Sequence, residues 1–196
     1  MASRRDDLLD AAIDLLGEQG VRALTHRAVD AATGLPAGST SNYFRTKEAL
    51  FDAVVERFAA RERANFEELA AHLAPRTTTD LAKALAVSAR DSTGRNRALT
   101  LSRYAILVEA SRRPELRAQL AAGGARVSTW FATWLRLVGS TDPDHHVHVV
   151  GNYLTGLVLH QLAIPDPEFD PTAHIDALLR SLIQSQHEQG WQDSGS

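Results

Sequence analysis

Apolar residues recur every three or four positions along most of the chain, the spacing that places them on one face of an α-helix. Leu8, Leu9, Ala12, Ile13 and Leu16 form the first stripe, behind Ser3, a helix-capping residue followed three positions later by Asp6. Gly20 ends that helix. Thr25 caps the next, in which Ala28, Val29 and Ala32 supply a small inward face. Gly34 closes it with the left-handed turn that glycine takes most cheaply. A short helix is predicted from about Pro36 to Phe44. Thr46 caps a longer one reaching about Leu73, with Leu50, Phe51, Val54, Val55 and Phe58 as its stripe.

Punctuation is as clear further on. Residues 75–80, Pro-Arg-Thr-Thr-Thr-Asp, read as a linker and cap, and helical patterns follow at about 80–92 and 96–112. Pro114 opens a helix that runs to Gly139, Asp142-Pro143 opens one that runs to about Ala163, and Asp170-Pro171 opens the last, to about His187. The tail from Glu188 to Ser196 is polar and predicted to fray. About nine helices with no strand run predict an all-α protein.

The most informative segment is residues 24–51. It reads as a short capped helix, a glycine turn and a second short helix rich in small polar residues, with a lysine at the start of the next helix. A major groove about 12 Å wide admits one helix, and small side chains let its backbone come close to the base edges. In a helix-turn-helix the first helix crosses the DNA backbone and the second enters the groove.

With its aromatic pair and Lys-Glu-x-Leu ending, the segment resembles the DNA-binding domain of the TetR family. The matching residues are Gly34, Tyr43, Phe44, Lys47, Glu48, Leu50 and Phe51, and the likeness covers roughly residues 5–58. The resemblance implies that Thr25 meets a phosphate through its hydroxyl and helix N-terminus, and that Arg27 reaches a phosphate or a base. It places Ala37, Gly38, Ser39, Thr40 and Asn42 at the groove. Tyr43 stands where the family usually has histidine and is expected to hydrogen-bond a phosphate, while Lys47 anchors the far strand and Leu35 and Phe44 lock the helix from within. Many relatives have Tyr-Tyr-His-Phe where this chain has Ser41-Asn42-Tyr43-Phe44, so the operator sequence does not carry over from them.

Composition changes this picture little. Of 196 residues, 44% are hydrophobic and 23% charged, as in an ordinary globular protein. The net charge of −3 argues neither for nor against DNA. Residues 1–47 hold six Arg or Lys and six Asp or Glu, but most of the acids (Asp6, Asp7, Asp10, Asp14) sit on the first helix, away from Arg27, Arg45 and Lys47. There is no cysteine, which removes disulfide and thiolate chemistry. The longest apolar stretch, Val147 to Ile164, is broken by His148, Asn152, Thr155, His160 and Gln161. Since the chain opens directly on an amphipathic pattern with no signal-peptide core, a cytoplasmic protein with no membrane partner is expected.

Three further groups have a plainer reading beside a functional one. His145, His146 and His148, near Asp142 and Asp144, have metal-ligand chemistry but also suit a solvated helix start, and no metal or cofactor is assigned to them. Trp130 and Trp134, with Arg103, Tyr104, Asn152, Tyr153 and His160, are candidates to line a ligand pocket, against ordinary core and surface roles. The last two helices carry apolar residues on more than one face. Of these, Tyr153, Leu154, Leu157, Leu178 and Leu182 are assigned to a dimer interface, the pairing that the TetR resemblance implies, and a two-fold dimer suits a palindromic operator.

The expected organisation is a helix-turn-helix DNA-binding domain at residues 1–47, a linking helix at 46–73, and a ligand-binding and dimerisation domain at 48–196. The resemblance implies a transcriptional repressor, without catalytic residues, released from double-stranded operator DNA by an unidentified small-molecule effector. Two alternatives stand beside it: a metal-dependent enzyme using the His145–His148 region, and a ligand-binding protein that does not bind DNA.

Overall fold

A computed structural model describes the backbone of residues 3–192 and the side chains of residues 3–184. Among the described residues there are nine helices and no strand: α1 (Arg4–Gln19), α2 (His26–Thr33), α3 (Ser39–Tyr43), α4 (Lys47–His72), α5 (Thr78–Thr93), α6 (Arg97–Ala110), α7 (Pro114–Leu137), α8 (Pro143–Ala163) and α9 (Thr172–Gln192). None is long and apolar enough to cross a membrane. Helix α9 continues past His187; the rest of the tail expected to fray, residues 193–196, lies outside the described residues.

The chain divides into two compact units, one of Met1–Phe66 and Asn96–Ala125, the other of Glu67–Arg95 and Arg126–Ser196. The first therefore takes in more than residues 1–47. Its core joins Leu8, Leu9, Ile13 and Leu16 of α1 to Leu24, Val29 and Phe44, to Leu50, Phe51, Val54 and Phe58 of α4, and to Leu99 and Ile106 of α6. Helix α1 starts with a reciprocal cap in which Ser3 Oγ accepts from Asp6 N–H and the Asp6 carboxylate accepts from Ser3 N–H.

Helices α1 and α6 cross at Gly17, where a Cβ would lie 2.2 Å from the carbonyl oxygen of Ala98. Only a residue without a side chain permits that approach. Beside it, Ser102 Oγ donates to the Ile13 carbonyl at 2.6 Å, a bond between helices inside the core. Arg57 of α4 grips Asp10 of α1 with two bonds of 2.9 and 2.7 Å.

In the second unit, Leu81, Leu85 and Ala89 of α5 join Phe131, Trp134 and Leu135 of α7, Val150 and Val158 of α8, and Ile175 and Leu179 of α9 in the buried set. Helix α5 begins at Thr78, two residues before the position expected from sequence. Its cap is Thr77 with Asp80, again a reciprocal pair. Polar bonds tie α5 to α9: Thr79 Oγ1 donates to Asp176 Oδ1 at 3.2 Å and accepts from Arg180 at 3.0 Å.

Candidate nucleic-acid interface

Helix α2 opens on Thr25, whose extended backbone (φ −136°, ψ 154°) lets its Oγ1 accept from Ala28 N–H at 3.2 Å. That bond uses an oxygen lone pair and leaves the hydroxyl proton to donate outward. His26 ties the start of α2 to the end of α3, with its Nε2 2.7 Å from the Phe44 carbonyl. A carbonyl only accepts, so the ring carries its proton on Nε2. Gly34 ends α2 at φ 67°, ψ 19°, the left-handed cap expected.

Two details differ from the sequence reading. Ala32 is exposed rather than inward; the place beside Val29 on the inner face is taken by Asp30, only 3% exposed. The second short helix begins at Ser39, not Pro36. Pro36 instead opens a turn, its carbonyl accepting from Ser39 N–H at 3.1 Å, and Gly38 follows at φ 93°, a value that breaks helical continuity and favours glycine.

Asp30 holds that turn. Its Oδ2 accepts from Gly38 N–H at 2.8 Å, and its Oδ1 accepts from Thr40 N–H at 2.7 Å and from Thr40 Oγ1 at 2.5 Å. A carboxylate from α2 thus takes one amide from the residue that caps α3 and one from its first turn, where an anion is favoured. Burial pushes this carboxyl up, but the bonds from Thr40 and Gly38 and the neighbouring His26 outweigh it, holding the pKa below the ordinary carboxylate value. Sequence reasoning missed the role. The available signal was that Asp30 is the sole acid between Thr25 and Lys47, in a segment expected to face phosphates.

The same network corrects the place of Thr40. It was grouped with the groove residues, but it is fully buried with both its N–H and its hydroxyl engaged by Asp30. Its side chain holds the helix to Asp30 and presents no polar group at the surface. The other expected contacts are accessible: Thr25, Arg27, Ala37, Gly38, Asn42 and Lys47 are exposed, Ser39 is half-buried, and Tyr43 is 47% exposed. Phe44 is buried, with the Arg5 guanidinium 5.3 Å from its ring centroid. Lys47 stands in the first turn of α4, where Thr46 Oγ1 accepts from Ala49 N–H at 3.0 Å.

The ligand-pocket candidates fall in both units. Arg103 and Tyr104 lie in the first unit, the other five in the second. Arg103 is held by Glu62 in an ion pair. Tyr104 lines an open cleft of about 450 Å³ with Gln19, Gly20, Val21, Arg22, Ala105, Val108 and Glu109. Trp134 is core, its ring centroid 6.4 Å from that of Phe131, whereas Trp130 and Tyr153 are half-buried and Asn152 and His160 exposed. All five dimer candidates, Tyr153, Leu154, Leu157, Leu178 and Leu182, remain half-buried in the single chain.

Among the described residues no group of three or more His, Cys, Asp or Glu is placed to hold a metal. His146, one of the three clustered histidines, is buried with its Nδ1 2.9 Å from Ser140 Oγ, and burial lowers its pKa.

A short helix behind a tethered glycine turn, with its outer side accessible, defines a helix-turn-helix of the DNA-binding kind. Comparison with known proteins places it further. Residues 8–54 match the family model described as "Bacterial regulatory proteins, tetR family", and residues 76–185 match "Tetracyclin repressor-like, C-terminal domain". The chain belongs to the TetR family of transcriptional regulators.

Among curated proteins, an HTH-type transcriptional repressor, KstR2 of Rhodococcus jostii, is 39% identical over 57 residues, 29% of this chain. KstR2 of Mycolicibacterium smegmatis is 35% identical over a stretch of the same length. These matches take in only 28% of the length of either relative. Similar solved structures extend over nearly the whole chain. The multidrug binding protein EbrR complexed with ethidium has a TM-score of 0.68 at 28% identity, covering 92% of this chain and 98% of that one. A TetR-family member from Streptomyces coelicolor A3 has a TM-score of 0.69 at 26% identity, with 93% and 99% covered.

Proposed function

We propose that this chain is a homodimeric repressor that holds a palindromic operator through α2 and α3 and lets go when a small organic ligand binds. The observation that carries the DNA-binding part is the Asp30 tether: it fixes α3 against α2 from the inside while Asn42, Tyr43 and Lys47 stay accessible outside. Thr25, Arg27, Tyr43 and Lys47 serve as backbone anchors in this reading, and Ala37, Gly38, Ser39 and Asn42 face the groove.

Dimerisation is supported by the apolar residues of α8 and α9 that one chain leaves in water. Besides the five half-buried candidates, Leu159 is 46% exposed. An apolar surface of this kind is typical of an interface between copies. Ligand control is supported by EbrR, whose structure was solved with bound ethidium. Under this reading the protein works in the cytoplasm, and residues 48–196 hold the effector and the dimer contact. A change in the separation of the two recognition helices then weakens binding, because operator half-sites lie a fixed distance apart.

Selection of bound duplexes from a randomised pool tests the reading. The expected result is an enriched site with two-fold symmetry, bound less tightly in the presence of compounds that raise the melting temperature of the protein. Enrichment of no sequence would remove the DNA-binding function. Operator affinity unchanged by every stabilising compound would remove the ligand control alone.

A further inference from the structure

Few groups on α3 are free to read a base. Ser39 Oγ donates to the Pro36 carbonyl at 2.6 Å, and Ser41 Oγ donates to the Gly38 carbonyl at 2.8 Å. Thr40 is buried with its hydroxyl on Asp30. A hydroxyl has one proton, so Ser39 and Ser41 are left as acceptors close to the helix surface and Thr40 offers nothing. Ala37 and Gly38 have no polar side-chain atom.

Asn42 differs from all of these. It is exposed, and its side-chain amide has no hydrogen-bond partner among the described residues. Both amide protons and the Oδ1 lone pairs are therefore available outward. A carboxamide presents a donor beside an acceptor in one plane. In the major groove the matching edge is that of adenine, with the N7 acceptor next to the N6 donor, whereas guanine presents two acceptors and matches only one of the two.

We propose that Asn42 reads an adenine in each operator half-site, its Nδ2 donating to N7 and its Oδ1 accepting from N6. This rests on the DNA-binding reading above and adds the base that the site selects. Because the neighbouring hydroxyls have their protons committed, preference at that base pair depends on one side chain.

The test uses the full-length protein and the duplex obtained by selection. An A·T pair is expected to be invariant in each half-site. Replacing its adenine with 7-deazaadenine, which lacks the N7 acceptor, should weaken binding about tenfold. Asn42→Ala should weaken binding to the intact operator by about 5- to 150-fold, as for loss of a bidentate pair, and should be indifferent to the 7-deaza substitution. The inference is overturned if the selected half-site has no invariant A·T pair, or if 7-deazaadenine at none of its adenines weakens the wild-type protein. The second measurement needs no variant, so it stands even if Asn42→Ala folds poorly. A protein that binds its selected operator but ignores the 7-deaza change loses only this inference, whereas one that binds no duplex loses the DNA-binding reading as well.

Discussion

Replacing Asp30 with alanine removes a carboxylate that is 3% exposed and accepts three hydrogen bonds, from Gly38 N–H, Thr40 N–H and Thr40 Oγ1. The Gly38 amide is only partly buried and can turn to water. Both Thr40 groups are buried and would be left without a partner, at about 1–3 kcal/mol each. The relief of no longer burying a carboxylate offsets part of that, so Asp30→Ala is expected to cost about 3 kcal/mol. Asp30→Asn keeps an oxygen for Thr40 but turns an NH2 toward Gly38 N–H, donor against donor, and should cost about 1–2 kcal/mol.

Urea denaturation followed by far-UV circular dichroism, with the wild type as reference, measures both variants. The sign of the pH dependence is also fixed. The carboxyl of Asp30 is held below its ordinary value by the bonds from Thr40 and Gly38, which outweigh burial. Its contribution is therefore complete above about pH 5, where the unfolded chain is also ionised, and fades as pH falls through the ordinary carboxylate value and on through the depressed folded one. The stability gap between wild type and Asp30→Asn should be flat from about pH 5 to 8 and should close in acid. A loss below about 1 kcal/mol for Asp30→Ala, or a gap that widens on acidification, would refute the tether.

Gly17→Ala should destabilise the protein by about 2 kcal/mol or more in the same assay. The gain in helix propensity, about 1 kcal/mol, is outweighed by a Cβ placed 2.2 Å from the Ala98 carbonyl; a neutral or stabilising effect would show that α1 and α6 can part freely. Lys47→Ala should weaken binding to all duplexes alike and lower the slope of log affinity against log salt by about one unit, and an unchanged slope would take Lys47 out of the phosphate contacts. If the chain pairs as proposed, paired substitution of the half-buried Leu157 and Leu182 by glutamate should convert the proposed dimer to monomer in sedimentation velocity with helical content kept; a persistent dimer would place the interface elsewhere.

The helices were legible in the sequence because their signals are local. Ser3, Thr25, Pro114 and Asp142-Pro143 mark starts, Gly20 and Gly34 mark ends, and the apolar spacing does the rest. Each depends on the dihedral preferences and hydrogen-bonding groups of a few neighbouring residues. The TetR-like motif was readable for the same reason, being a continuous segment whose order of caps, turn and aromatic pair is preserved.

Partners distant along the chain were another matter. Periodicity turns Ala32 inward and the family resemblance groups Thr40 with the groove residues, since neither can show that a carboxylate ten positions earlier occupies the Thr40 hydroxyl. Nothing around Gly17 announces that Ala98 will lie against it, because the close approach exists only once α6 has packed on α1. Caps, turns and apolar spacing are enough to dictate an all-helical chain with a helix-turn-helix near its start. Tertiary structure decided which side chains of that motif are used up holding it together, because hydrogen-bond capacity is finite and only packing reveals where each donor and acceptor goes.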